Sequence, residues 1–483
     1  MGIRIEKISD FLWEIPAEGP MRVPGRIYAD RESIAFLLEE SGSKQWDALS
    51  QVRNVACLPG IRKASLAMAD IHPGYGFPIG GVGAFDLDEG VVSVAGVGFD
   101  INCGVRTMIV DIPKAEIEEN RSLLADVLFR TVPAGVGSTG SLKLTTGEID
   151  EVLVKGARFS LERGYGDEED LEYIEENGMM QGADPACVSA RAKERQLGQV
   201  GTLGSGNHYL EVQFVDEIFD RETAEAFGLE EDGVLVSIHT GSRALGHQIG
   251  TDYQQVLKRA ADRHSVKTPE KQLVAAPIRS REGRDYIAAV KAGINCAFAN
   301  RQAIAGLVRM AFEEALSLPP ERIRTLYEIG HNNIKFERHE LDGEEADLLV
   351  HRKGATRAFS AGRGEIPARY SKVGQPVLVG GTMGTASYIL TGTARGMSET
   401  FGSAVHGAGR LKSRKQALRE YRGGDVIDDL MRRGVEVRTR SRKGAAEEAP
   451  GAYKDVERVV SIMEGAGVNR KIARVVPVIC VKG

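Results

Sequence analysis

Short apolar runs rich in β-branched residues, separated by glycine-rich turns, dominate the pattern along the chain. Four of them are VVSVAGV (91–97), GVLVSIH (233–239), QPVLVGG (375–381) and VVPVICV (475–481). β-Branched residues flanked by turn residues are typical of buried strands. We therefore predict strands at these four places, with tight loops at the glycine clusters.

Helical spacing is clearest in two segments. The longer one begins near Asp285 and has apolar residues at Ile287, Val290, Ile294, Phe298, Ile304, Val308, Phe312 and Leu316. The shorter one has Ile117, Leu123, Leu124, Val127 and Leu128, and it should end before Pro133. Helices and strands follow one another without a fixed repeat, so the pattern predicts an irregular mixed α/β fold.

The domain organisation follows from what the pattern lacks. No convincing Pro/Gly/Ser-rich linker divides the chain, so we expect one catalytic unit over residues 1–483.

Two stretches differ from the rest of the chain in charge. An acidic stretch at 167–176 is interpreted as a solvated surface. A basic stretch from Arg410 to Lys443 has twelve Lys and Arg against five Asp and Glu. We interpret the basic stretch as a groove for nucleic acid, with a solvated helix face as the alternative.

Composition and charge narrow the function classes. With 42% hydrophobic and 27% charged residues, the chain should fold as an ordinary globular protein. Its apolar runs are too short for a secretory signal or for the roughly 20 residues that cross a bilayer. Five scattered cysteines without a close pair fit a reducing cytoplasm. A net charge of -6 argues against coating nucleic acid by bulk charge.

Candidate metal ligands occur on four loops rich in Gly or Asn. They are Asp100 and Cys103 in GVGFDINCGVR, His208 in GSGNHYLE, His239 in VSIHTGSR and His331 in EIGHNNIK. Each alone is more often a structural residue. Together they could hold two ions if the thiolate bridges them, and paired metals suit phosphoryl chemistry. Asp70 and His72 in MADIHPGYG could add a ligand or support one, although Asp70 could also simply stabilise a turn.

A second candidate centre lies near the C-terminus. SAVHGAGRLKSRK places His406 among glycines and close to Arg410 and Arg414. A histidine nitrogen can attack an α-phosphate and hold the nucleotide covalently, while guanidinium groups neutralise phosphate oxygens. The preceding GGTMGTASY loop adds backbone donors and the hydroxyls of Thr382, Thr385 and Ser387.

From about residue 55 to its end, the chain resembles the RtcB family of RNA ligases. The resemblance rests on ASLAMADIHPGYGFPIGGVGAFD, GVGFDINCGVR, GTLGSGNH, HTGSRALGH, GGTMGTASY, HGAGR and YKDVE. So many long motifs in order leave little room for coincidence. The resemblance implies one RtcB-like domain over residues 1–483, with metal-centre loops at about 65–335 and a guanylate-binding part at about 375–483.

The resemblance also implies roles for residues at matching positions. Two manganese ions would be bound by Asp100, Cys103, His208, His239 and His331, with Cys103 shared. His406 would become guanylylated, and Thr382 keeps a hydroxyl where many members have serine. The implied nucleotide contacts are Asn207, Glu211, Thr382, Ser387, Gly407, Gly409, Tyr453 and Lys482. The implied RNA contacts are Arg195, Arg243, Arg410 and Arg414.

The implied reaction uses GTP and Mn²⁺. It joins an RNA 3'-phosphate or 2',3'-cyclic phosphate end to a 5'-hydroxyl end through a histidine–GMP intermediate. RNA, with tRNA halves foremost, is the implied partner, and no membrane is involved. An archease-type activator and a monomeric or weakly dimeric state are further expectations.

Two other function classes would use the same residues differently. A metal-dependent phosphoesterase or nuclease would activate water at the Asp/Cys/His centre and use His406 only as an acid or ligand. A non-enzymatic RNA-binding module would need only the basic C-terminal segment, and buried metal ligands would serve no purpose in it. Dependence on GTP separates the ligase from the phosphoesterase.

Overall fold

The computed structural model describes residues 3–43 and 47–483. Residues 1–2 and 44–46 of the expected unit therefore lie outside the described residues. The strands are β1 (Glu6–Lys7), β2 (Leu12–Ile15), β3 (Gly25–Tyr28), β4 (Ile61–His72), β5 (Ile79–Asp86), β6 (Val91–Ser93), β7 (Gly104–Val110), β8 (Tyr209–Ile218), β9 (Val234–Thr240), β10 (Ala275–Pro277), β11 (Ile323–Gly330), β12 (Asn332–Leu341), β13 (Glu344–Lys353), β14 (Ala355–Arg357), β15 (Pro376–Val379), β16 (Ser387–Gly392), β17 (Ser403–Val405), β18 (Glu436–Thr439) and β19 (Asn469–Lys482).

Helices are interspersed among these strands along the whole described chain. They are α1 (Arg31–Ser43), α2 (Ala48–Val55), α3 (Val94–Val97), α4 (Lys114–Glu119), α5 (Arg121–Thr131), α6 (Thr146–Lys155), α7 (Ala157–Leu161), α8 (Glu169–Glu172), α9 (Ala190–Gln196), α10 (Arg221–Phe227), α11 (Arg243–Arg263), α12 (Arg281–Leu316), α13 (Ala394–Thr400), α14 (Arg414–Glu420), α15 (Gly423–Arg432), α16 (Arg442–Glu447) and α17 (Val456–Gly465). The expected mixed α/β fold is thus confirmed. None of the described helices combines the length and apolar character that a membrane span requires.

Two large sheets organise the molecule. One has the order β1-β2-β3-β4-β5-β13-β12, and the other runs β11-β7-β9-β8-β19-β16-β15 with β18 added alongside β19. Along the second path every neighbouring pair is antiparallel. The start of one strand and the end of the next therefore meet at the same edge of that sheet.

Most predicted elements are present. The long helix is α12, which begins after its N-cap Ser280 and is buried along most of its length. The shorter segment forms α4 and α5, and the latter ends at Thr131 before Pro133. Three predicted strands are confirmed as β9, β15 and β19.

Two sequence-based expectations are wrong. VVSVAGV forms β6 only at its first three residues and continues as α3, because a run buried on all sides does not distinguish strand from helix. The acidic stretch is not wholly solvated, since Asp170 and Glu175 are buried. Burial alone would raise the pKa of Asp170, but its ion pair with Arg309 lowers that pKa well below the usual value.

Candidate functional site

The predicted metal ligands converge at one edge of the second sheet. Cys103 directly precedes β7, His208 directly precedes β8, His239 is the next-to-last residue of β9, and His331 directly follows β11. These four strands are neighbours in the order β11-β7-β9-β8. Antiparallel pairing therefore brings together residues that lie up to 228 positions apart in sequence.

The side chains form two groups that share one thiol. Asp100, Cys103 and His208 make the first group, and Cys103, His239 and His331 make the second. The Cys103 Sγ lies 3.4 Å from His208 Nε2 and 3.3 Å from His239 Nε2. Within each group the ligand atoms all lie within 4.8 Å of one another. This donor set fits two cations bridged by the Cys103 sulfur.

Burial favours the neutral, metal-binding form of the histidines but opposes the charged forms of Asp100 and Cys103. Desolvation lowers the pKa of His239 and of His331 well below the usual value, so both imidazoles are neutral donors. Burial opposes ionisation of Asp100, but His208 beside it lowers the pKa of that carboxyl. Burial raises the pKa of the Cys103 thiol well above its usual value, so a bound cation is needed to hold the thiolate form.

Two supporting contacts orient these ligands. His208 Nδ1 donates to the carbonyl of Leu203 at 2.9 Å, which directs Nε2 towards Asp100 Oδ2, 2.8 Å away, where a bound ion would take the place of a proton between them. The fully buried Arg301 donates to the carbonyl of Asn102 at 2.8 Å and to that of Thr240 at 2.6 Å. It thus ties the residue before Cys103 to the residue after His239. No sequence motif pointed to Arg301.

The second centre adjoins the first. The rings of His331 and His406 have centroids 4.9 Å apart. His406 Nδ1 lies 2.5 Å from Asp70 Oδ2, which also accepts from the backbone N–H of His406 at 3.1 Å. Asp70 is therefore a partner of His406 and does not belong to either metal group. His72 lines the cavity next to His406 and likewise belongs to neither metal group.

On the hypothesis that His406 accepts a guanylate beside a metal centre, Asp70→Asn should slow that modification without loss of metal. The carboxylate accepts only from an Nδ1–H, which leaves Nε2 unprotonated for attack, whereas an asparagine amide can donate to Nδ1 and favour the unreactive tautomer. We expect labelling by GTP to fall by up to roughly 10⁴-fold, the loss seen when the aspartate of a catalytic triad is changed to asparagine. Single-turnover labelling and metal analysis check this, and unchanged labelling would contradict the assignment.

One cavity of about 360 Å³ joins the two centres. Four of the metal-ligand candidates line it together with His406. The nucleotide candidates that line it are Asn207, Glu211, Thr382, Gly407, Gly409, Tyr453 and Lys482. Ser387 is buried behind the loop, where its hydroxyl accepts from the N–H of Gly381 at 2.9 Å. Its position supports the loop and does not face this cavity.

Charged groups line the part of the cavity that contains the candidate nucleotide contacts. Burial raises the pKa of Glu211 to about 7, and the nearby Lys482 counteracts this only in part. Arg410 donates to the buried carboxylate of Glu448 at 2.9 Å and to the Tyr453 hydroxyl at 2.7 Å. Arg414 lies 3.6 Å from the same carboxylate. The sequence did not predict a role for Glu448, because its contacts with Arg410 and Arg414 depend on the fold.

The four candidate RNA contacts divide into two pairs. Arg410 and Arg414 line the cavity, whereas Arg195 and Arg243 do not. Arg243 begins α11 in the left-handed region at φ 56°, and its Nη1 would lie 2.1 Å from a Cβ added to Gly204. Gly204 itself has φ 91°, so its backbone conformation favours glycine even if the guanidinium could shift. Arg195 donates to Gln248 at 2.7 Å.

Comparison with known proteins gives one consistent family. A family model described as "tRNA-splicing ligase RtcB" matches residues 51–483. A protein of that name from Thermococcus kodakarensis is 49% identical over 100% of this chain and 99% of its own length. Namesakes from Archaeoglobus fulgidus and Methanococcus maripaludis are 48% and 47% identical over 99% of both chains.

Proposed function

The chain belongs to the RtcB family of tRNA-splicing ligases, and from this premise we propose that it joins an RNA 3'-phosphate end to a 5'-hydroxyl end with GTP and two manganese ions. The observation that carries the proposal is the single cavity in which two cation sites sharing Cys103 adjoin a histidine oriented by Asp70. Such a cavity suits consecutive phosphoryl transfers.

In the first step His406 acts as the nucleophile. Its Nδ1 proton is held by Asp70, so the Nε2 lone pair is available to the α-phosphorus of GTP. The Nε2–P bond forms while the bond from the α-phosphorus to the bridging oxygen breaks and pyrophosphate leaves. Arg410, Arg414 and Lys482 supply positive charge to the phosphate oxygens in the same cavity.

The following steps pass the guanylate to RNA. An oxygen of the RNA 3'-phosphate attacks the phosphorus of the His406 adduct, and the N–P bond breaks. The 5'-hydroxyl then attacks the activated 3'-phosphate and its proton passes to solvent, while the bond from the 3'-phosphorus to the guanylate oxygen breaks and GMP leaves. A 2',3'-cyclic end must first be opened by water. Manganese bound by the two ligand groups would supply charge stabilisation on phosphoryl oxygens.

The substrates are proposed to be tRNA halves with those ends, in keeping with the names of the relatives. We place the reaction in a reducing cytoplasm, where the buried Cys103, which is free in this structure, would persist as a ligand. An archease-type helper and a monomeric or weakly dimeric state complete the proposal.

Incubation with GTP, Mn²⁺ and a 3'-phosphate/5'-hydroxyl RNA pair tests the function. We expect joined product only when GTP is present, and unjoined ends when ATP replaces it. A phosphoesterase using the same centre would release inorganic phosphate from this RNA without GTP. Phosphate release without joining would therefore reject the ligase and favour the phosphoesterase.

A further inference from the structure

The basic segment Arg410–Lys443 contains two kinds of cation. Seven are held by carboxylates: Arg410 and Arg414 by Glu448, Lys412 by Glu420, Arg432 and Arg433 by Asp429, Arg438 by Asp126, and Lys443 by Glu447. The other five are Lys415, Arg419, Arg422, Arg440 and Arg442. These five are exposed and have no ion pair among the described residues.

The unpaired cations extend outward from the cavity. α14 begins at Arg414, which lines the cavity, so its first turn lies at the rim. Lys415 and Arg419 are four residues apart and share one side of that helix. Arg422 follows the helix end, and α16, which begins at Arg442, packs against α14. Arg440 lies two residues before α16 begins, with its guanidinium 5.5 Å from the centre of the Phe129 ring.

This arrangement suits a polyanion that enters the cavity. A cation already paired with a carboxylate has part of its charge neutralised and offers fewer free donors to a phosphate, whereas an unpaired, solvated cation offers all of them. With its carboxylates counted, the segment Arg410–Lys443 has twelve positive and five negative side chains, a net charge of +7, in a chain of net charge -6, so this region has a local positive potential. α14, which carries Lys415 and Arg419, begins at the cavity that would hold the reacting RNA ends, so RNA is the polyanion that its position favours.

We propose that Lys415, Arg419, Arg422, Arg440 and Arg442 form an RNA-guiding face, which binds phosphodiesters of the strand outside the nucleotides that are joined. The inference rests on the proposed function and adds the path of the substrate beyond the cavity. Its cations act on binding and take no part in the phosphoryl transfers.

The test compares two variants of equal charge. Lys415→Ser/Arg419→Ser/Arg422→Ser removes three unpaired cations, and Arg432→Ser/Arg433→Ser/Lys443→Ser removes three that are ion-paired. Affinity is measured at several salt concentrations for a long 3'-phosphate RNA and for one of only a few nucleotides. Each lost phosphate contact lowers the slope of log K against log salt by roughly 0.7 on single strands. The first variant should therefore lose about 2 from that slope on the long RNA and little on the short one.

Other outcomes overturn the face. Equal weakening by both variants would show a general effect of net charge, and equal loss on both RNAs would place these residues at the joined ends. Unchanged RNA binding by the first variant would show that these residues do not bind RNA, and a different partner, such as an acidic protein, would then have to be considered. Labelling of the protein by GTP without RNA is measured in parallel: its absence from the parent would reject the proposed function and leave the salt slopes interpretable.

Discussion

Cys103→Ala should bind fewer than two manganese ions and join no RNA. The Cys103 sulfur is the one atom common to both ligand groups, so its removal takes a donor from each ion at once. Loss of a residue that only supports a ligand already costs roughly 10- to 100-fold in metal affinity. We therefore expect a larger loss here, measured as bound manganese per chain after dialysis and as joined product.

The control is Cys187→Ala, which removes a partly exposed thiol that belongs to neither ligand group. Its metal content and joining should match those of the parent. Circular dichroism of both variants separates loss of ligand from loss of fold. Parental metal content in the Cys103 variant would show that the proposed centre is wrong.

The sequence located most members of this site because each stands next to a strand end or in a glycine-rich turn. Cys103, His208 and His331 directly flank strands, as the motifs indicated. The sheet order that makes them neighbours was not in the sequence, since pairing of β7 with both β9 and β11 depends on packing of the whole chain. The local sequence pattern thus identified the ligands, whereas the strand order of the sheet explains why they lie close together.

Long-range polar partners were the part that sequence could not supply. Asp70 and His406 are 336 residues apart, and the sequence around each of them does not indicate that they are in contact. Arg301 and Glu448 do not lie in a recognisable motif. Arg301 donates to backbone carbonyls and Glu448 accepts from an arginine, and these partners come from other elements of the fold. The acidic stretch was misread for the same reason, since Arg309, which neutralises Asp170, lies on the distant α12.

Pairing also changes how the basic segment is interpreted. A count of charges gives the same weight to Arg433, which is held by Asp429, and to Arg419, which is not. Only the structure separates them. The predicted groove is thereby reduced to five residues, which makes the hypothesis sharper than net charge allows.

His406→Ala should abolish covalent labelling by α-labelled GTP in the presence of manganese and the absence of RNA. The parent should take up label from GTP and far less from ATP. The adduct should be acid-labile and fairly stable in alkali, as a phosphoramidate is and a phosphate ester on Thr385 or Ser387 is not. Removing a nucleophile elsewhere costs about 10⁶ in rate, so labelling and joining of ordinary 3'-phosphate RNA should fall below detection.

Two properties of the His406→Ala protein distinguish a lost nucleophile from a damaged site. It should retain both manganese ions, because His406 belongs to neither ligand group. It should also seal RNA supplied with a preformed guanylylated 3' end, since only the earlier steps need the histidine. His247→Ala, which changes an exposed histidine outside the cavity lining, serves as the control and should label normally. If His406→Ala takes up label like the parent, or joins 3'-phosphate RNA at the parental rate, the histidine–GMP route is wrong and the phosphoesterase becomes the better account of the cavity.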